Sequence, residues 1–260
     1  MIAEMASVSF TVDQQVAEIS LNRPPVNALV TPMIDDLLLA LQRARVDPKV
    51  RAVIIRSARP GPFSAGLDLK ELDGKTAEQN HELIEKLYVQ MSEAQARLGK
   101  PSIAVVEGAA RGGGMTLAIL CDLIVASSNA SFGYPEINVG VLPAIHFAHL
   151  PRIVGRHRAF DLLFTGRTFG VEEAHTLGLV SRITSPNDAL TQARALAQTL
   201  VAKPPGAMKR GRAAFYREFE SNLHGAAAVA LETFSSVAAT REARDAIHAF
   251  AVSTKSPDSE

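Results

Sequence analysis

Apolar and polar positions along the chain alternate first with the period of a strand and then with that of a helix, and the switch recurs. Residues 7–12 and Val16–Leu21 are β-branched runs around Asp13-Gln14-Gln15, a hairpin pattern. Thr31 before Pro32 predicts an N-cap followed by a proline at the first helical position. Asp35 and Asp36 then fall in the first turn, and Ile34, Leu37, Leu38 and Leu41 share one face. Asp47-Pro48 ends that helix. Ala52–Ser57 reads as a short strand emptying into Arg59-Pro60-Gly61-Pro62. Thr76 and Gln79 form a capping box ahead of Leu83, Ile84, Leu87, Tyr88, Met91 and Leu98. This predicts one long amphipathic helix ending at Gly99-Lys100-Pro101.

The unit then repeats, with a strand at 102–107, a glycine-rich turn, a helix at 113–121 and a strand at Leu123–Ser127. Alternation continues to a strand at 179–183, which predicts an α/β architecture. From Pro186 onward the pattern is helical: Ala189–Val201 stops before Pro204-Pro205, and residues 223–250 form a long alanine-rich segment. The chain thus reads as an α/β core at 1–185 and a helical C-terminal region at 186–260, with no linker marked by composition.

Composition acts mainly by exclusion. With 260 residues, 47% hydrophobic and 21% charged, the chain is long enough to bury a core without staples. Lys plus Arg and Asp plus Glu both number 27, so no overall field attracts nucleic acid or an anionic membrane, and neither partner is expected. Cys121 is the one cysteine and cannot close an intrachain bridge; residues 1–9 lack a basic then apolar leader. Both features point to the cytoplasm. Asp122 and Pro143 interrupt the most apolar stretches before they reach the roughly 18 residues of a membrane span.

Candidate chemistry concentrates in two loops. Gly108-Ala109-Ala110-Arg111-Gly112-Gly113-Gly114 lies between a strand and a helix, where glycines admit close backbone approach and a helix start offers unpaired N–H groups to negative charge. Its spacing matches neither the dinucleotide nor the P-loop fingerprint. Gly61-Pro62-Phe63-Ser64-Ala65-Gly66-Leu67-Asp68-Leu69 also follows a strand and is placed to aim backbone donors at the first loop. Ser64 stands in G-x-x-S-x-G rather than a nucleophile elbow, and no His and Asp follow in triad order. Glu107 and Asp122 read as polar groups at strand ends, and Cys121 as a small buried hydrophobe. His146 and His149 have aliphatic neighbours and no third ligand in view, so no metal is expected.

Taken together, these loops resemble the crotonase superfamily, the enoyl-CoA hydratases and isomerases. The resemblance rests on Phe63-Ser64-Ala65-Gly66-Leu67-Asp68-Leu69 and Gly112-Gly113-Gly114, with Asn22-Arg23-Pro24-Pro25-Val26-Asn27-Ala28-Leu29 upstream and Phe132-Gly133-Tyr134-Pro135-Glu136-Ile137 downstream. It continues through Leu163-Phe164-Thr165-Gly166 and Ala174-His175-Thr176-Leu177-Gly178-Leu179-Val180, covering residues 7 to 185 in order. It implies a spiral of repeated ββα units. The C-terminal helices would help complete the CoA site and assemble a homotrimer or a dimer of trimers. It also implies an acyl-CoA thioester substrate and no separate cofactor. By motif position, the backbone N–H groups of Leu67 and Gly113 would hold the thioester oxygen. CoA would run along Arg23, Pro24 and Val26 and along Ser64, Ala65, Gly66, Asp68 and Leu69, with Lys70 nearby and Asp68 organising its loop.

The chain departs from the two-glutamate hydratases at one of their two carboxylates. The second is retained as Glu136, whereas the first position is Thr116, left as an accessory polar group. A 1,3 proton shift needs only one base that removes and returns a proton. The loop at residues 59–69 is also similar to that of mitochondrial-type Δ3,Δ2-enoyl-CoA isomerases, so isomerisation is favoured over hydration. A catalytically silent acyl-CoA-binding or assembly protein is the alternative of another class. Leu142-Pro143-Ala144-Ile145-His146-Phe147-Ala148-His149-Leu150 is bulkier than the glycine-rich stretch hydratases carry there.

Overall fold

The computed structural model describes residues 5–220 and 223–253. β1 (Val8–Asp13) and β2 (Val16–Leu21) form an antiparallel hairpin closed by Gln14 and Gln15, both at positive φ. Such a turn matches the right-handed twist of its flanking strands. Through α1 (Thr31–Val46) the chain crosses to β3 (Ala52–Ser57), parallel to β2. The short α2 (Leu69–Leu72), then α3 (Ala77–Glu85) and α4 (Met91–Ala96), return it to β4 (Ser102–Val106), parallel to β3. β5 (Ala109–Arg111) leaves that sheet, α5 (Gly113–Ile119) follows, and β6 (Leu123–Ser127) rejoins it beside β4.

β7 (Ser131–Gly133) then pairs with β5 in a second sheet. After α6 (His146–Val154) and α7 (Arg156–Thr165), β8 (Thr168–Gly170) completes that sheet. α8 (Val171–Thr176) leads to β9 (Arg182–Thr184), and α9 (Ala189–Val201), α10 (Pro205–Glu220), α11 (Leu223–Ala238) and α12 (Arg241–Ser253) follow. The large sheet runs β1-β2-β3-β4-β6-β9 and the small one β5-β7-β8. Single bridges from Leu29 to Leu67 and from Ser64 to Ala110 show that segments 27–29 and 63–67 play the part of β5 in the first two turns. Each turn therefore gives one strand to the large sheet, one extended segment to the small side and one helix, the expected ββα spiral.

Strand periodicity explains the two cores. Val53, Ile55, Ala104, Val106 and Ala126 face the main core. Their neighbours Ala52, Ile54, Ile103, Val105 and Val125 face Ala189, Ala193, Leu196 and Ala197 of α9. A central parallel sheet covered on both sides has to be apolar on both, which is why these strands do not alternate with polar residues.

Several expectations shift. Val30, not Thr31, caps α1, because the Thr31 N–H and hydroxyl both donate to Glu71 Oε1, at 3.1 and 2.6 Å. The long helix after Thr76 keeps its capping box but passes through a π-helical turn at Lys86–Gln90. The glycine-rich turn contains β5, and α5 ends at Ile119. The strand at 179–183 is displaced to Arg182–Thr184, since Leu179 and Val180 are buried in the turn after α8. Segment 223–250 is broken at Thr240, whose Oγ1 accepts from the Ala243 N–H at the start of α12. α10, starting at Pro205, fills a stretch that the sequence pattern left unassigned.

Candidate active site

Two backbone loops converge because each is hydrogen-bonded into its neighbour. The Phe63 N–H donates to Ala109 O at 2.9 Å and the Arg111 N–H to Ser64 O at 3.0 Å, tying the first loop to β5. On its other side the Leu29 N–H donates to Gly66 O at 2.7 Å and the Asp68 N–H to Leu29 O at 2.9 Å. Asn27 pins the junction. Its Nδ2 donates to Ser57 Oγ at 2.9 Å and to Phe63 O at 3.1 Å, and its carbonyl accepts from Ser64 Oγ at 2.7 Å.

Gly66 is required by this closeness. A Cβ on Gly66, which has φ +88°, would lie 2.7 Å from Arg111 O and 3.0 Å from the Gly113 nitrogen. A Cβ on Gly113 would lie 3.5 Å from the Leu67 nitrogen, so the two amides flank one small volume. Gly113 opens α5, where an N–H has no intrahelical acceptor. Among the described residues neither the Leu67 nor the Gly113 N–H donates to a protein group.

Glu136 stands on the short 3₁₀ helix Pro135–Val139 after β7, and its carboxylate packs on Gly112. A Cβ at Gly112, which has φ +49°, would be 2.7 Å from Glu136 Oε1. The residue as a whole is half-buried, but Oε2 is sealed from solvent and has no hydrogen-bond partner among the described residues. Burial raises its pKa from the ordinary carboxyl value to about 7, its own backbone N–H offsetting part of the rise. Carboxyl and amides share a cavity of about 640 Å³ whose inner wall includes Leu87, Tyr88, Val139, Val141, Phe234 and Phe250. Such a group of two unpaired donors and one near-neutral carboxyl in an apolar cleft is suited to stabilising an oxygen that gains charge while a proton moves beside it.

The other sequence candidates divide. Arg23, Pro24, Val26, Ala65, Gly66, Asp68, Leu69 and Lys70 line the same cavity. Asp68 caps α2 and pairs with Arg23 at 2.8 Å, which organises the loop. Ser64 does not line the cavity: it is fully buried, its hydroxyl holding Asn27 O and accepting from the Gly66 N–H, so it supports the loop from beneath. Thr116 is likewise withdrawn, its Oγ1 lying 3.1 Å from His146 Nε2. Burial pushes the His149 pKa down to about 4 and the Cys121 thiol up to about 12. Asp122 is structural, bound by Ser102 and Arg212. Sequence reasoning missed Tyr88, Phe234 and Phe250 as wall residues. The π turn that re-aims Leu87 and Tyr88 has no signal in the apolar pattern, and α11 and α12 reach the site only through long-range packing. Among the described residues no group of three or more His, Cys, Asp or Glu is placed to hold a metal ion, and no helix is long and apolar enough to cross a membrane.

Spiral, paired amide loops and apolar cleft are what the resemblance to the acyl-CoA enzymes of the crotonase superfamily implies. The family profile described as enoyl-CoA hydratase/isomerase matches residues 11–258, and the chain belongs to that family. It is 36% identical to a Mycobacterium bovis protein named "Probable enoyl-CoA hydratase echA8" over 246 residues, covering 92% of each chain. It is also 36% identical to the human "Enoyl-CoA hydratase domain-containing protein 2, mitochondrial", covering 92% of this chain and 83% of that one. An enoyl-CoA hydratase structure from Mycobacterium avium subsp. paratuberculosis K-10 superposes with a TM-score of 0.86 at 25% identity, covering 99% of this chain and 100% of that one.

Proposed function

We propose that this protein is an enoyl-CoA isomerase that moves a double bond by a 1,3 proton shift on a single glutamate. In this reading the thioester oxygen of a 3-enoyl-CoA sits between the Leu67 and Gly113 N–H groups. Glu136, ionised, removes a proton from C2; the charge spreads onto the oxygen as a dienolate; the same carboxyl returns the proton to C4, giving the 2-enoyl thioester. Two preorganised donors aimed at one developing oxyanion supply a large share of the acceleration, each worth about 2.7–4 kcal/mol in other enzymes. The thioester's CoA portion follows Arg23, Pro24, Val26, Ala65, Gly66, Asp68 and Leu69, and no further cofactor is needed.

The observation that carries this reading is Glu136. Among the described residues it is the one carboxyl of the cavity outside an ion pair, poised near neutrality, while the position of a second carboxylate is Thr116, turned to His146. Hydration is the second reading, favoured by the hydratase names of relatives. Purified protein given 3-enoyl-CoA is expected to yield 2-enoyl-CoA without 3-hydroxyacyl-CoA, any deuterium gained at C4 in deuterium oxide measuring how often the Glu136 proton exchanges with solvent before it is returned. Accumulation of 3-hydroxyacyl-CoA from 2-enoyl-CoA would favour the hydratase, and thioester binding with neither double-bond migration nor hydration would favour a silent binding protein.

For the assembly we propose a homotrimer or a dimer of trimers involving the C-terminal helices. Phe160, 62% exposed on α7, and Val229, 62% exposed on α11, are apolar surface that such contacts would cover. A cytoplasmic location accords with the single buried thiol of Cys121.

A further inference from the structure

Thr116 lies one turn beyond Gly113 on α5 and is 2% exposed. A hydroxyl at that depth needs a partner, either protein or water. The partner is the imidazole of His146, 1% exposed at the first position of α6, with Nε2 at 3.1 Å. The imidazole in turn packs on the Tyr134 ring, centroids 4.6 Å apart, and Tyr134 precedes Glu136 by two residues. The cavity lining stops at Gly112, Gly113 and Glu136 and includes none of Thr116, Tyr134 or His146. We infer that the Thr116–His146 pair sets reaction specificity by filling with protein the space in which a hydrating water would otherwise be held.

This rests on the isomerase reading above and names the residues that keep hydration from competing with it. Hydration needs a water fixed beside the substrate; a buried water in turn needs two to four polar partners and room of its own. The imidazole faces the Thr116 hydroxyl and packs on the Tyr134 ring, and its own Nδ1, the Tyr134 hydroxyl and Glu136 Oε2 are all buried without a partner among the described residues. His146 therefore occupies a position that is polar enough to be wet. Burial holds the imidazole neutral, so it meets the Thr116 hydroxyl without bringing a charge into the interior. Its neighbours Ile145 and Phe147 add bulk to the same segment.

The test compares product partition in the full chain and in His146→Ala, His146→Ser and His146→Gln. Each is given 3-enoyl-CoA and 2-enoyl-CoA, with a thermal melt to establish folding. In Ala and Ser the ratio of 3-hydroxyacyl-CoA formation to double-bond migration is expected to rise at least tenfold. Gln, which keeps much of the volume and a polar group facing Thr116, should stay within about threefold of the parent. A folded Ala or Ser variant that migrates the double bond without gaining hydration overturns the inference and leaves the isomerase reading intact. Equal hydration by Gln and Ala also overturns it. A parent protein that chiefly hydrates instead overturns the isomerase reading itself.

Discussion

Glu136 is a carboxyl held out of water beside a glycine that has no side chain to displace it. General acid–base groups typically contribute about 10²–10⁴-fold, so Glu136→Gln should lower C2 proton exchange by that order while thioester binding persists, as measured by NMR exchange and calorimetry. Because the proposed reaction needs Glu136 ionised and burial lifts its pKa to about 7, kcat/KM should rise with pH and level off above about 7. The same shift acts on stability with the opposite sense. The folded state holds the proton more tightly than the unfolded chain, so this residue's contribution is fully present below pH 4.5 and is lost as pH rises through about 7. Urea titrations should therefore find Glu136→Gln more stable than the parent at pH 8, with the gap closing toward pH 4.5. At Gly66, where a Cβ would meet Arg111 O at 2.7 Å, alanine must push the two loops apart. Its kcat/KM should fall by about 10²–10³, the magnitude seen on losing one oxyanion donor.

At the scale of elements, the site depends on what holds the loops and helix ends. Arg212 of α10 is 7% exposed and donates to Asp122 at 2.9 Å and to Ala96 O at 3.1 Å, with its guanidinium 4.2 Å over the Tyr216 ring. Asp122 in turn receives the Ser102 N–H at 2.7 Å, so one ion pair joins α10, the end of α4 and the starts of β4 and β6. Removing one member of a buried pair strands the other, and Arg212→Met should cost about 3–5 kcal/mol in chemical denaturation. The sequence made Asp122 legible as a polar group at a strand end, but not its partner 90 positions away. The same limit runs through the other elements. Capping boxes and proline punctuation are local, and Thr76–Gln79 and Ala189–Val201 stand where the pattern placed them. Thr31 lost its capping role to Glu71, 40 residues on, and the π turn at Lys86–Gln90 answers to the cavity it lines. Both loops of the site were visible as glycine-rich breaks after strands. Their convergence depends on Asn27 and on bridges between turns of the spiral, which no local pattern encodes.

For the whole molecule, the spiral delivers the loops and the C-terminal helices close the cleft. Phe234 of α11 is 2% exposed and meets Tyr88 edge-on at 6.2 Å, making it a wall shared by both regions. Phe234→Ala should raise KM for the thioester more than it lowers kcat, and should destabilise the fold by about 3–5 kcal/mol. The alternation of strand and helix gave the class of fold, and the order of motifs gave its winding. The wall from α11 and α12 came only with the coordinates, since those helices are separated in sequence from every loop they meet. The central claim is that two converging amides and one carboxyl make and quench a thioester enolate. Its most direct measurement is the rate of C2 hydrogen exchange of a saturated acyl-CoA in deuterium oxide, followed by NMR for the parent and for Glu136→Gln. The account predicts exchange by the parent, rising with pH through about 7, and its loss in the variant with binding retained. Exchange that survives in a folded Glu136→Gln protein would contradict it.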